Sequence, residues 1–177
     1  SEEQRWEEDR PKRVAQEQLQ KQEFDNFRES LVYEERYIAF LDVLGWKSLI
    51  NKSEADPELT KKLGVGLRFL QMNKEVSDKI LIMDKQISQF SDCIVLSINT
   101  KTSLNFSPLL QDIKFIANHF LQLGFPIRGG ITKGKLIHKD SIVYGPALNR
   151  AYELENDHAK YPRILLEDAL NSPFKCG

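Results

Sequence analysis

Two apolar stretches of this chain each carry a single carboxylate. Residues 37–46 read YIAFLDVLGW, with Asp42, and residues 86–95 read QISQFSDCIV, with Asp92. Both are rich in aliphatic and aromatic residues and read as strands. A carboxylate in such company is costly unless it is paired or holds a cation. Two of them at neighbouring strand ends would offer hard oxygen ligands for Mg²⁺ or Mn²⁺, ions that keep waters and share a substrate's phosphates. After Asp42, the run Val43, Leu44, Gly45, Trp46 reads as a turn whose backbone N–H groups suit a phosphate chain, with Gly45 permitting close approach. Arg128, in IRGGIT, stands inside a third apolar run. A planar, permanently charged donor there suits a bidentate phosphate contact. Taken singly, each residue has an ordinary reading. Asp42 would be a turn cap, Asp92 a hairpin residue, Arg128 half of an ion pair and Asn149 a helix-start residue. Their joint order is what those readings do not account for.

The elements that must position these residues follow from spacing. Residues 1–34 form a polar, charge-rich stretch expected to be a helical extension after Pro11, and residues 35–177 form the main domain. Tyr37–Leu41 reads as a strand buried on both faces and breaking at Gly45. Leu59, Leu63, Leu67 and Leu70 recur at helical spacing behind an Asp56 cap and Pro57. Residues 79–98 hold two strands around Ser91-Asp92, a hairpin. Residues 107–125 form an amphipathic helix that starts at Ser107 and Pro108 and ends at Gly124. IRGGITKGKLIH reads as a strand and then a bend, with Lys133, Lys135 and Lys139 on a solvated hairpin. A helix from near Pro146 and a short strand in PRILLE complete the chain. The order β-α-β-β-α-β, then α-β, predicts an α+β fold with a ferredoxin-like split βαβ core. In that core the first strand lies beside the hairpin, so Asp42 and Asp92 converge at one sheet edge.

Bulk composition excludes other classes. The 177 residues carry 25 Lys+Arg against 26 Asp+Glu, for a net charge of −1. That balance predicts neither nucleic-acid binding nor attraction to a membrane surface. No apolar run approaches the roughly 20 residues of a membrane span. The two cysteines, Cys93 and Cys176, lack zinc-site spacing and fit a reducing compartment. With no signal-peptide pattern, the expectation is a cytoplasmic protein. His119 is expected on a helix face, and His138 and His158 in solvated loops.

The four stretches in register resemble the catalytic domain of class III nucleotidyl cyclases. The carriers are Phe40, Asp42, Gly45 and Trp46; then Ser91-Asp92; then Arg128, Gly130, Ile131 and Gly134; then Gly145, Asn149, Ala151, Leu154 and Glu155. The resemblance runs from about Tyr37 to Leu166. It implies that Asp42 and Asp92, with the Val43 carbonyl, ligate two Mg²⁺ or Mn²⁺ ions per active site. It further implies that Arg128 grips the terminal phosphates, and that Asn149 comes from the other subunit of a head-to-tail homodimer. The positions at which purine cyclases read their base hold Ser88 and Ile142 here, and the family's catalytic arginine is Glu153. FLDVLGW, SDC, RGGI and GPALNRAYELE are most similar to the pyrimidine cyclases of the Pycsar anti-phage system, with Trp46 expected to close the pocket on a smaller base. That resemblance implies conversion of UTP, ahead of CTP, to a 3′,5′-cyclic messenger that switches a separate effector. The alternative is a catalytically weak or inactive cyclase-fold module that binds nucleotide, motivated by Glu153. A cyclase joining two nucleotides fits less well, because its hairpin carries a second acidic residue and FSDCIV does not.

Overall fold

A computed structural model describes residues 2–79 and 84–171. The chain divides into two compact units, one through Val32 and one from Tyr33. The first is a single helix, α1 (Glu2–Glu29), which runs through Pro11 instead of starting after it. Pro11 removes one main-chain bond from that helix. Val14, Leu19 and Phe24 are exposed on α1. Its end is closed by the Ser30 hydroxyl, which donates to the Phe27 carbonyl at 2.6 Å.

The second unit is an α+β domain built on a largely antiparallel sheet. Its elements are β1 (Glu34–Val43), α2 (Trp46–Ser53), α3 (Pro57–Lys79), β2 (Lys85–Phe90), β3 (Cys93–Asn99), a 3₁₀ turn (Ser103–Asn105), α4 (Phe106–Gln122), β4 (Ile127–Lys139), β5 (Ile142–Tyr144), α5 (Pro146–His158), β6 (Ile164–Leu166) and α6 (Asp168–Asn171). Strand order is β2-β3-β1-β4-β5, with β6 parallel to β4. The crossover from β1 to β2 and the one from β3 to β4 each skip one strand.

Alternation along β1 feeds two cores. Ala39, Leu41 and Val43 join Leu63 and Leu70 of α3 and Leu109, Ile113, Ile116 and Phe120 of α4. Ile38 and Phe40 join Val95, Leu136 and Ala147 and Ala151 of α5 on the opposite face. The expected cap on α3 is present: Asp56 Oδ1 accepts from the N–H groups of Glu58 and Leu59, both at 3.0 Å. Gly124 ends α4 in the left-handed region, with φ 86°.

Several expectations need correction. Strand β4 runs unbroken for 13 residues, so Lys133, Lys135 and Lys139 lie on a strand, and the turn comes later at Asp140-Ser141. Helix α2 was not expected; the chain turns at Gly45 and continues as a helix. His138 is buried, not solvated. It bridges Ser88 Oγ (2.8 Å) and Ser97 Oγ (2.9 Å), and Ser97 in turn accepts from Arg36 Nε at 2.9 Å. His119 stacks on Phe69 with ring centroids 3.8 Å apart. Residues 80–83, at the start of the expected hairpin, and Cys176 lie outside the described residues.

A candidate metal and phosphate site

The site starts from strand register. Asp42 on β1 stands opposite Cys93 on β3 and opposite Arg128 on β4. Directly opposed residues share a face of the sheet, so all three side chains emerge on the α5 side. Asp92 reaches the same place from the two-residue turn between β2 and β3, where Ser91 takes φ 56°. That turn is tied to β1, because the Val43 N–H donates to the Asp92 carbonyl at 3.2 Å. Ligand atoms of Asp42, Asp92 and Cys93 all lie within 4.8 Å of one another. Asp42 and Asp92 border a cavity of about 810 Å³ whose wall also includes Val43, Leu44, Gly45, Trp46, Lys47, Ser48, Asn51, Lys52 and Arg128.

Burial and neighbouring charges set the electrostatics of this site. Burial raises the Asp42 carboxyl above the usual range, Arg128 opposes that shift, and the Asp92 charge adds to it. Burial and the same two carboxylates push the Cys93 thiol up to about 12, so at neutral pH it is a protonated donor. Its Sγ faces Asp92 Oδ1 at 3.9 Å. Two carboxylates and a thiol at this spacing could hold a metal ion.

Arg128 is less free than its place in the sequence implies. Its Nε donates to Asp42 Oδ2 at 3.1 Å and forms a 2.5 Å ion pair with Glu155 Oε1 of α5. That second contact is a charge contact off the hydrogen-bonding angle, because Glu155 Oε1 has no aligned donor. Glu155 is 2 % exposed, and burial raises its carboxyl.

The turn after Asp42 differs from expectation too. The Val43 and Leu44 N–H groups are already used, the latter by the Pro126 carbonyl at 2.9 Å. They are not available to a phosphate chain. Gly45, at φ 75°, caps α2 without a side-chain bond, and Trp46, Lys47 and Ser48 of its first turn line the cavity.

Of the remaining expected residues, Ser88 is buried and spent on His138, while Ile142 and Asn149 are exposed. None of the three lines this cavity. Arg150 and Arg163 do not line the cavity either: Arg150 is held by Glu167 (2.9 Å) and the Lys133 carbonyl (2.6 Å), and Arg163 by the His158 carbonyl. Lys160 is exposed and lies off the cavity wall. Sequence reasoning missed Lys47, Asn51, Lys52 and the pairing of Glu155. The α2 residues had a faint signal, since Trp46, Leu49 and Ile50 recur at i, i+3 and i+4, and Trp46 and Leu49 pack on the core. Among the described residues no helix is long and apolar enough to cross a membrane. No protein-family model matches this chain, and no curated protein matches it in sequence.

Proposed function

We propose that the chain is a pyrimidine nucleotidyl cyclase with the ferredoxin-like βαββαβ core of the class III family. The observation that carries this reading is the convergence of Asp42, Asp92 and Arg128 on one cavity at the ends of the inner strands β1, β3 and β4. The strand order supports it, because both crossovers skip a strand as in a split βαβ core. Asp42 and Asp92 would hold two Mg²⁺ or Mn²⁺ ions, assisted by the Val43 carbonyl. Such ions, when bound, acidify the ribose 3′-hydroxyl and offset the triphosphate charge.

The chain's own groups do the rest. Arg128 binds the β- and γ-phosphates, and Lys47, Lys52 and the start of α2 add positive potential along the phosphate path. The 3′-oxygen bonds to the α-phosphorus and its proton passes to solvent. The bond from that phosphorus to the bridging oxygen breaks, and pyrophosphate leaves. Asn149 lies off the cavity wall, which is where it would stand if a second copy, docked head to tail, supplied it to orient the ribose. Ser88 and Ile142 lack the polar pair that reads a purine, and Ser88 is engaged by His138. A pyrimidine triphosphate, UTP ahead of CTP, is the proposed substrate, and Trp46 would narrow the base pocket. The product would be a cyclic pyrimidine messenger acting on a separate effector in anti-phage defence within the cytoplasm.

The test is incubation of the full chain with each ribonucleoside triphosphate and Mn²⁺, with products identified by mass. A cyclic pyrimidine monophosphate that disappears in Asp42→Asn and Asp92→Asn is the expected result. A purine product would reject the specificity. Nucleotide binding without turnover would instead identify a binding or regulatory module, the reading that Glu153 favours.

A further inference from the structure

Glu155 is a carboxylate with almost no exposure, on a helix that the proposed chemistry uses only through Asn149. A buried, unpaired carboxylate is strongly destabilising, so its partner matters. That partner is Arg128, at 2.5 Å. The approach is prepared by the backbone. A side chain at Gly130 would put its Cβ 2.3 Å from the Ala151 carbonyl and 3.2 Å from the Glu155 nitrogen. Glycine there lets α5 lie against β4 and carries Glu155 to Arg128, two residues away on the same face of the strand.

The division of contacts on Arg128 is informative. Asp42 and Glu155 both take Nε. Among the described residues the recorded bonds of Arg128 use neither terminal Nη group, and Arg128 borders the cavity. The two carboxylates are not equivalent. Asp42 belongs to the cluster that can hold a cation, whereas Glu155 lies outside it. A cation on Asp42 competes with Nε for the same oxygens. An arginine held only by Asp42 would lose its anchor at the moment a metal-bound anion arrives.

We propose that Glu155 is a positioning residue, holding Arg128 by Nε so that its terminal fork stays in the cavity for the phosphate chain when a divalent cation takes Asp42. This inference rests on the metal and phosphate reading of the site and adds a residue to which no role was assigned.

The test measures two affinities on the full chain by calorimetry: Mn²⁺ alone, and inorganic tripolyphosphate in saturating Mn²⁺. Wild type, Glu155→Gln, Arg128→Gln and the double variant are compared, each first shown by thermal melting to be folded. Glu155→Gln keeps the volume and removes the charge. The expected result is a loss of about tenfold in tripolyphosphate affinity, the size of one charge-assisted contact, with Mn²⁺ affinity changed by less than about threefold. The double variant should bind tripolyphosphate no more weakly than Arg128→Gln, because Glu155 acts through Arg128. Unchanged tripolyphosphate affinity in Glu155→Gln would overturn the inference. So would a further loss in the double variant, which marks a general charge effect. If wild type binds neither Mn²⁺ nor tripolyphosphate, the reading of the site itself fails, which is distinct from a failure confined to Glu155.

Discussion

Asp42 faces Arg128 on one side and Asp92 on another, so its charge is offset on one side only. A cation that binds the folded chain alone stabilises it by mass action, about 2.7 kcal/mol at a hundredfold excess over Kd. Mn²⁺ should therefore raise the melting temperature of wild type and leave Asp42→Asn and Asp92→Asn unmoved, as differential scanning fluorimetry would show. A rise of equal size in both variants would place the ion elsewhere. A second residue-scale effect comes from His138. Its burial, with Arg36 and Lys74 nearby, pushes the imidazole down to about 3 from an ordinary 6.5. The folded ring stays neutral where the unfolded ring takes a proton. The stability is thus complete above about pH 6.5 and is lost as pH falls towards 3, at about 1.4 kcal/mol per pH unit. Urea unfolding from pH 7 to pH 4 should show that slope, and His138→Gln should flatten it while lowering stability at pH 7.

The elements that hold the site differ in how far residues alone announce them. Helices α3 and α4 are legible because their leucines and isoleucines recur over many turns, and Asp56 and Gly124 mark their ends. Strand β1 is legible because both faces are buried. The eight residues of α2 are too few for a periodic signal, and a glycine before them reads as a break. The bond from Leu44 to Pro126 and the contact of Glu155 with Arg128 depend on tertiary approach, which no local spacing encodes. The same holds for His138, whose neighbours Lys139 and Asp140 read as a loop while β4 carries it to Ser88. Gly130 makes this approach testable. Gly130→Ala should cost about 1–3 kcal/mol, the range for overpacking, because the obstacle is the Ala151 carbonyl. Gly64→Ala is the control. That exposed position in α3 has nothing within 4 Å of the added carbon. Removing a helical glycine there should stabilise the chain by about 0.5–1 kcal/mol. Chemical denaturation of both variants measures the two signs, and equal effects would remove the packing explanation for Gly130.

On the scale of the whole molecule, one chain holds the parts of the proposed reaction in separate places. Asp42, Asp92 and Arg128 share a cavity, whereas Asn149 is exposed at the start of α5 and Ile142 is exposed on β5. A head-to-tail pair would join the first set of one copy to the second set of the other, giving two sites related by the pair's symmetry. That arrangement makes a prediction no single-chain site can reproduce. Asp42→Asn alone spoils both sites of its own pair, and so does Asn149→Ala. In a mixed pair both lesions fall in one site, which leaves the other site wild type throughout. If subunits exchange freely, half the pairs are mixed and each has one working site of two, so the mixture should recover about a quarter of wild-type cyclase activity. Each variant alone should stay near background. Activity that stays near background after exchange, verified by mass photometry of differently tagged copies, would mean that Asn149 and Asp42 serve the same chain or that Asn149 has no part in the reaction. Tagging also tests the extension: removal of residues 1–32 with recovery intact would separate α1 from the pairing that builds the site.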